Sequence, residues 1–331
     1  MSHHSTIMTG SELVTLLSSP GIPVVTNRLT QLADVTLEAP HGISGILCHA
    51  KYGGAEVAAR VIRLYVAPNN ANYQILKGAA DELKVWLRLN HENIVPLLGL
   101  ACIQGQLTLV TPWAHKGRII PFLRNHRPVN TLKMCAQLAS AVAYLHSKGV
   151  VHQNIQAKNV LLSESDDVKL VGLGAWTMKR IGHHGDGINE SELRLRWTAP
   201  EVFTSTSGYT TETDVWALGM TILEIFTKLH PFATVKSAQD AVSKAINREI
   251  PSRPADFTGY DQLWGLLVQC WLYDPRRRPS AAAVYDAVSP EDDLRGNSNC
   301  EIGPINCPQI LGDELFESDA NGSYVIPLRR K

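Results

Sequence analysis

The stretch HQNIQAKNVLL, residues 152–162, decides the fold assignment of this 331-residue chain. Four shorter segments follow it along the chain: GLG at 172–174, APE at 199–201, DVWALG at 214–219 and CWLYDPRRRP at 270–279. Each short segment alone would match many unrelated sequences by chance. Their order and spacing together are specific, because five independent matches rarely coincide.

These five segments resemble the motifs of protein kinases. The first is similar to the catalytic loop H-R-D-L-x-x-x-N-x-L-L, and the others are similar to D-F-G, A-P-E, D-V-W-x-x-G and C-W-x-x-D-P-x-x-R-P. Upstream, VAAR at 57–60 resembles the V-A-I-K strand, and Glu82 aligns with the glutamate of the single N-lobe helix. The segments 106–113 and 197–201 resemble the tyrosine-kinase and tyrosine-kinase-like groups, between which the sequence leaves the choice open.

The resemblance implies an α+β, two-lobed protein-kinase-like fold. A small antiparallel-sheet N-lobe with one helix is expected at about 34–111, and a larger, mainly helical C-lobe at about 115–288. Residues 1–33 are predicted to form an N-terminal extension that contains at most one short helix. Residues 289–331 carry eight acidic and four basic side chains and are predicted to form a disordered tail.

Hydrophobic periodicity in the first part of the chain predicts strands and one helix. Short apolar runs at 35–37, 45–52 and 56–64 have the length and composition of strands. Two more strands are expected at 94–100 and 106–111. One helix is predicted between these groups from a single stripe of side chains: Leu76, Ala79, Leu83, Trp86 and Leu87.

Beyond Pro112 the periodicity becomes helical. A stripe from Leu132 to Leu145 predicts a helix that begins at Asn130 or Thr131. The segment 211–228 is apolar on nearly every side, which is typical of a helix buried in the middle of a domain. Further helices are predicted at 261–273 and 279–288.

Composition and charge exclude several classes of protein. Lys plus Arg number 31 and Asp plus Glu number 31, so no net positive charge attracts nucleic acid or an anionic membrane surface. No apolar run approaches the roughly 18 residues of a membrane span, and a secretory signal pattern is absent from the first residues. Six scattered cysteines without a C-x-x-C pair argue against a zinc site or a disulfide framework. We therefore expect a cytoplasmic protein with no membrane span, nucleic-acid partner or metal.

The catalytic positions that the resemblance identifies are degenerate. The catalytic-loop aspartate is replaced by Asn154, a neutral amide that cannot act as a base, and the metal-binding aspartate of D-F-G is replaced by Gly172. The phosphate-pairing lysine is replaced by Arg60, whose guanidinium is bulkier and forked. Glu82 and Asn159 are retained. These replacements predict that the chain is not an enzyme.

The structural positions of the family match. By the resemblance, Glu201 and Arg278 form a buried ion pair, and Asp214 holds the backbone of the catalytic loop. Four side chains fall where kinases stack residues between the lobes: Trp86, Leu97, His152 and Leu173. A retained scaffold without its chemistry predicts a pseudokinase.

A nucleotide pocket is predicted from the same alignment, in which PHGISGIL at 40–47 fits the glycine-rich loop with its first glycine replaced. The candidate nucleotide-binding residues are Gly42, Gly45, Leu47, Ala58, Arg60, Thr111, Ala114 and Leu161. Two interpretations stay open: binding of ATP without Mg²⁺, or an apolar cleft that side chains fill.

The sequence supports three functional hypotheses, each from a different class of protein. The main prediction is an inactive interaction or allosteric module for a protein partner, such as an active kinase. The first alternative is a residual or unorthodox phosphotransferase that recruits a carboxylate from Asp166, Asp167 or Asp186. The second alternative is a metal-independent nucleotide switch.

Overall fold

The computed structural model describes residues 7–19, 21–35, 47–62, 66–126, 129–172, 194–206 and 208–289, and the pairs 317–318 and 324–325. These residues form two compact units. The first contains the described residues up to His115 together with Val171 and Gly172, and the second contains Lys116–Leu170 and the described residues from Arg194 onward. The predicted α+β fold, with a sheet-rich N-lobe and a helical C-lobe, is confirmed.

The first unit is built on a five-stranded antiparallel sheet. Its strands are β1 Leu29–Val35, β2 Leu47–Tyr52, β3 Ala55–Ile62, β4 Gly99–Ile103 and β5 Gln106–Pro112. They lie in the order β1-β2-β3-β5-β4. Alternate residues of β3, namely Val57, Ala59 and Val61, are buried in the core of the sheet. Strand alternation therefore leaves Ala58 and Arg60 on the opposite, half-buried face.

The single long helix of this unit, α2 (Asn70–Arg88), buries the predicted stripe except Leu87, which is half-buried. The Asn69 side chain caps its first turn by accepting a hydrogen bond from the backbone N–H of Asn72. The strand predicted at 94–100 is wrong in its position, because β4 begins only at Gly99. Pro96 lacks the N–H that a ladder needs, and the N–H of Ile94 closes a turn on His91.

The segment before β1 is built into the first unit. Helix α1, Gly10–Ser18, is capped by Thr9 and Glu12, and its Leu13, Val14 and Leu17 are buried. The backbone N–H of Gly10 donates to the carbonyl of Gly105 at 3.0 Å. A Cβ on Gly10 would lie 2.2 Å from that same carbonyl oxygen, so only glycine allows this approach.

Replacing Gly10 with Ala is expected to lower the free energy of unfolding by roughly 1–3 kcal/mol, since an overpacked contact must displace backbone rather than a flexible side chain. Gly78→Ala is the matched control. Nothing lies within 4 Å of its Cβ position on α2, so the same change should stabilise by about 0.5–1 kcal/mol. Denaturant melts of both variants check the difference in sign, and a loss of equal size at both positions would contradict the contact.

The second unit is mainly helical around a small sheet of β6 (Gly117–Arg118), β7 (Val160–Leu162) and β8 (Val168–Leu170). Its helices are α3 Ile119–Asn125, α4 Thr131–Ser147, α5 Glu201–Thr204, α6 Thr211–Thr227, α7 Ala238–Ile246, α8 Asp261–Cys270 and α9 Ala281–Val288. Asn130 is the N-cap of α4, and α6 is buried on nearly every side. Two short strands, β9 (Glu317–Ser318) and β10 (Tyr324–Val325), pair with each other. Among the described residues, no helix combines the length and the hydropathy that a membrane crossing requires.

Candidate active site

The loop at 152–159 lies between α4 and β7 and is anchored by Asp214 of α6. One oxygen of the buried Asp214 carboxylate accepts the backbone N–H of His152 at 2.7 Å, and the other accepts that of Gln153 at 2.8 Å. Nε2 of His146 lies 3.0 Å from the same carboxylate. A buried carboxylate requires several donors, and here most of them belong to the loop and fix its course.

A second anchor of this loop, Glu224 of α6, was missed by sequence reasoning. Its buried carboxylate accepts the backbone N–H of Ala157 at 3.0 Å and the indole N–H of Trp197 at 3.1 Å. His230 lies 3.5 Å from the other carboxylate oxygen. The available signal was Glu224 itself, a charged residue in the second half of a helix predicted to be apolar on nearly every side, because a buried acid must find donors nearby.

Asn154 is held within this anchored loop. Its backbone N–H donates to Nδ1 of His152 at 3.2 Å, and its side-chain oxygen accepts a short hydrogen bond from the amide of Gln156. The Asn159 side-chain amide donates to the Asn154 carbonyl at 2.8 Å. Gln153, which precedes it, has a φ of +66°, an uncommon conformation for a side-chain-bearing residue. The loop therefore presents an oriented amide where the family has a carboxylate.

The residues present do not fit a Mg²⁺ ion. Of the two family positions that would bind it, Asn159 offers one neutral amide oxygen and Gly172 has no side chain, whereas Mg²⁺ prefers carboxylates. Among the described residues, no group of three or more His, Cys, Asp or Glu side chains could hold a metal ion. The Gly172 backbone also has a φ of +113°, which side-chain-bearing residues rarely adopt.

The aspartates considered as substitute bases are engaged in the turn between β7 and β8. Asp166 forms an ion pair with Lys116 at 2.5 Å. Asp167 accepts hydrogen bonds from Ser165 and Gln137 at 2.7 Å each, and the Ser165 bond, followed by the Gln137 bond, lowers the pKa of the Asp167 carboxyl. A carboxylate held in its charged form by such partners is a weak base. Asp186 lies outside the described residues.

The predicted structural ion pair lies in the same unit as the loop. The guanidinium of Arg278 donates to both oxygens of Glu201, at 2.6 and 2.8 Å, in the bidentate geometry that arginine allows. Two more of its N–H groups donate to the carbonyls of Leu272 and Glu212, each at 2.9 Å. The side chain of Arg278 is 0% exposed and that of Glu201 is 14% exposed. The pair is therefore screened from water, and four of the five N–H groups of the guanidinium donate hydrogen bonds.

Several nucleotide candidates share one face of the N-terminal sheet. Leu47 pairs with Arg60 across β2 and β3, and Ala58 pairs with Thr111 across β3 and β5, so these four residues lie on the same, half-buried side. Ala114 follows β5 in the same unit. Leu161 is on β7 of the second unit. Gly42 and Gly45 lie outside the described residues.

The four residues of the predicted stack are distributed as follows. Trp86 and Leu97 are buried in the first unit, where the indole N–H of Trp86 donates to the carbonyl of Val95 at 2.7 Å. His152 is buried in the second unit. Leu173 lies outside the described residues, so the stack remains a prediction.

Comparison with known proteins identifies the relatives of this chain. A family model described as protein tyrosine and serine/threonine kinase matches residues 42–288. The chain is 30% identical over 213 residues to the tyrosine-protein kinase transforming protein Fps of avian sarcoma virus (strain PRCII), a match that covers 62% of the chain and 39% of the relative. It is 29% identical to the megakaryocyte-associated tyrosine-protein kinase of Mus musculus over 80% of the chain and 50% of that protein. It is 26% identical to the serine/threonine-protein kinase STY17 of Arabidopsis thaliana over 87% of the chain and 47% of that protein.

The chain thus spans about half or less of the length of these relatives. All three are named as kinases, both tyrosine and serine/threonine. The prediction that the chain is not an enzyme is therefore wrong: the family model and the named relatives point to an enzyme. Asn154, Gly172 and Arg60 each replace a single group, whereas orientation and charge stabilisation supply most of the catalysis of phosphoryl transfer.

Proposed function

The chain belongs to the protein tyrosine and serine/threonine kinase family, and from that premise we propose that it is a slow, unorthodox ATP-dependent phosphotransferase acting on a polypeptide hydroxyl. One observation carries the proposal. The loop that bears Asn154 is fixed by two buried carboxylates, Asp214 and Glu224, which accept hydrogen bonds from its backbone N–H groups. This anchoring holds the loop in one course, which the positioning of a substrate hydroxyl at Asn154 requires.

Phosphoryl transfer is chemistry that positioning alone accelerates. The acceptor oxygen attacks the γ-phosphorus of ATP, and the bond from that phosphorus to the β,γ-bridging oxygen breaks. ADP leaves with the electron pair of the broken bond. Because the transition state is loose, the acceptor proton is released late, and catalysis consists mainly of orientation and charge stabilisation.

In this reaction Asn154 orients the acceptor. An amide oxygen has two lone pairs, of which the bond from Gln156 uses one. The other accepts a hydrogen bond from the substrate hydroxyl, and the released proton passes to solvent. A neutral amide cannot store that proton, which lowers the rate by roughly 10²–10⁴-fold relative to a carboxylate.

The nucleotide is held by the half-buried face of the N-terminal sheet. Leu47 and Ala58 supply apolar contacts for the adenine, and the backbone of Thr111 to Ala114 supplies its hydrogen bonds. Arg60 supplies the positive charge for the phosphates, which its guanidinium can bind in a forked geometry. The proposal includes ATP binding without a metal contribution from the protein, because the donor set does not fit Mg²⁺.

Transfer of labelled phosphate from γ-³²P-ATP to a mixed polypeptide substrate tests the proposal. We expect incorporation above that of heat-killed protein, and at least a tenfold loss in Arg60→Ala, since removing a charge clamp from a phosphoryl group is worth several kcal/mol. Arg88→Ala, at the exposed end of α2, is the matched control and should keep the full rate. Incorporation that equals the heat-killed sample, or that survives Arg60→Ala unchanged, would contradict the proposal.

A further inference from the structure

The second unit contains a cavity of about 270 Å³ that is separate from the catalytic loop. It lies between the end of α6, the segment 229–235 that follows it, Lys244 of α7 and the segment 249–256. Three buried apolar side chains, Leu223, Phe232 and Ile250, line it. Leu229, 56% exposed, extends the apolar surface outward at its rim.

Backbone turns and hydrogen bonds hold the wall of this cavity in place. Lys228 and Phe232 have φ angles of +58° and +54°, which turn the chain sharply after α6. The guanidinium of Arg196 then donates to the carbonyls of Phe232 and Val235 at 2.8 Å each. Burial lowers the pKa of Arg196, and these carbonyls replace part of its lost hydration. The cavity is therefore preformed, which reduces the entropy lost on binding.

The size of the cavity favours one side chain over a larger ligand. Pockets for drug-sized molecules hold roughly 300–1,000 Å³, and this one holds about 270 Å³. A space of that size accepts one large apolar side chain with the backbone that carries it. Pockets of this kind receive the aromatic anchors of polypeptide interfaces.

The charges at the rim indicate which residue type should stand next to that apolar side chain in a bound polypeptide. Lys244 and Glu249 form an ion pair with each other, so their charges cancel. The exposed carboxylate of Asp256 forms no hydrogen bond or ion pair with any residue that the structure describes. An unpartnered carboxylate beside an apolar cavity complements a cation.

We infer that this cavity binds a polypeptide segment with one large apolar side chain near a Lys or Arg. The apolar side chain enters between Leu223, Phe232 and Ile250, and the cation pairs with Asp256. The identification of that polypeptide as the phosphoryl acceptor rests on the proposed function; the binding itself does not. His230 lines the cavity and lies 3.5 Å from Glu224, which holds the loop at Ala157, so the bound segment lies in the same unit as the oriented amide of Asn154.

Fluorescence polarisation with a fluorescein-labelled synthetic peptide, GSGWSRGSG, tests the inference in the absence of ATP. We expect saturable binding that is lost when the peptide tryptophan is replaced by alanine. Asp256→Arg should weaken binding roughly tenfold, because an attraction becomes a repulsion. Ala233→Trp, at the exposed rim of the cavity, should abolish binding without lowering the melting temperature.

Two controls make the test specific. Asp286→Arg changes the charge equally on the exposed face of α9, away from the cavity, and should leave binding unchanged. The charge-swapped peptide GSGWSEGSG should bind Asp256→Arg better than it binds the original chain. The absence of saturable binding, an equal loss in Asp286→Arg, or no rescue by the swapped peptide would overturn the inference. Because no step uses ATP, an inactive protein that binds the peptide would refute only the proposed function.

Discussion

Replacing Asn154 with Asp is expected to raise the rate of phosphoryl transfer by about 10²–10⁴-fold, the range associated with a positioned general base. The side chains are nearly equal in shape, and the loop that holds residue 154 is fixed by Asp214 and Glu224. The bond from Gln156 is kept, because a carboxylate also accepts it. Initial rates at saturating ATP, with Asn125→Asp at the exposed end of α3 as the control, measure the effect.

A pH profile separates base catalysis from a general effect of added charge. The rate of Asn154→Asp should fall as the pH drops through the pKa of the new carboxyl, since protonation removes the base. The original chain, with an amide at this position, should lack that step. An unchanged rate, or a gain that is as large in Asn125→Asp, would mean that residue 154 does not face the acceptor.

Glu201→Ala should lower the free energy of unfolding by roughly 3–5 kcal/mol, the second large effect that we expect. The change leaves the Arg278 guanidinium, whose side chain is 0% exposed, without its bidentate partner. The free energy of unfolding of a native domain is about 5–15 kcal/mol, so this variant should be only marginally stable. Denaturant melts that follow tryptophan fluorescence measure the loss.

An exposed pair in the same unit supplies the comparison. Arg276 bonds to Asp274 through two nitrogens at 3.1 Å each, but its side chain is 89% exposed. Arg276→Ala should therefore cost far less than Glu201→Ala, because solvent screens an exposed ion pair. Glu201→Gln, which keeps one hydrogen bond to Arg278, should fall between the two. Equal losses in Glu201→Ala and Arg276→Ala would show that burial of the Glu201 pair contributes nothing.

The parts of the fold that the sequence predicted correctly are those with local signals. The stripe of α2 repeats at helical spacing, and Asn130 is a cap residue directly before the next stripe, so both helices could be located from neighbouring residues. Helix α6 was predicted because its segment is apolar on nearly every side. The loop at 152–159 could be located because its motif is contiguous.

Other features depend on partners that are distant in the chain. Gly10 meets Gly105, and the Pro23 carbonyl accepts the N–H of Leu100, yet nothing near residues 10–25 indicates either contact. A proline in a short segment is expected to interrupt regular structure, yet the Pro23 carbonyl completes the edge of β4. Glu224 was missed for the same reason, because its partners Ala157 and Trp197 belong to other segments.

The backbone at Gly172 restricts the order in which substitutions can accumulate at this site. Its φ of +113° is open to glycine, whereas an aspartate there would begin with a strain of roughly 1–3 kcal/mol. Gly172→Asp alone would therefore carry a strain cost, and neighbouring residues would have to change to relieve it. Asn154→Asp carries no such cost, because the two side chains are nearly equal in shape.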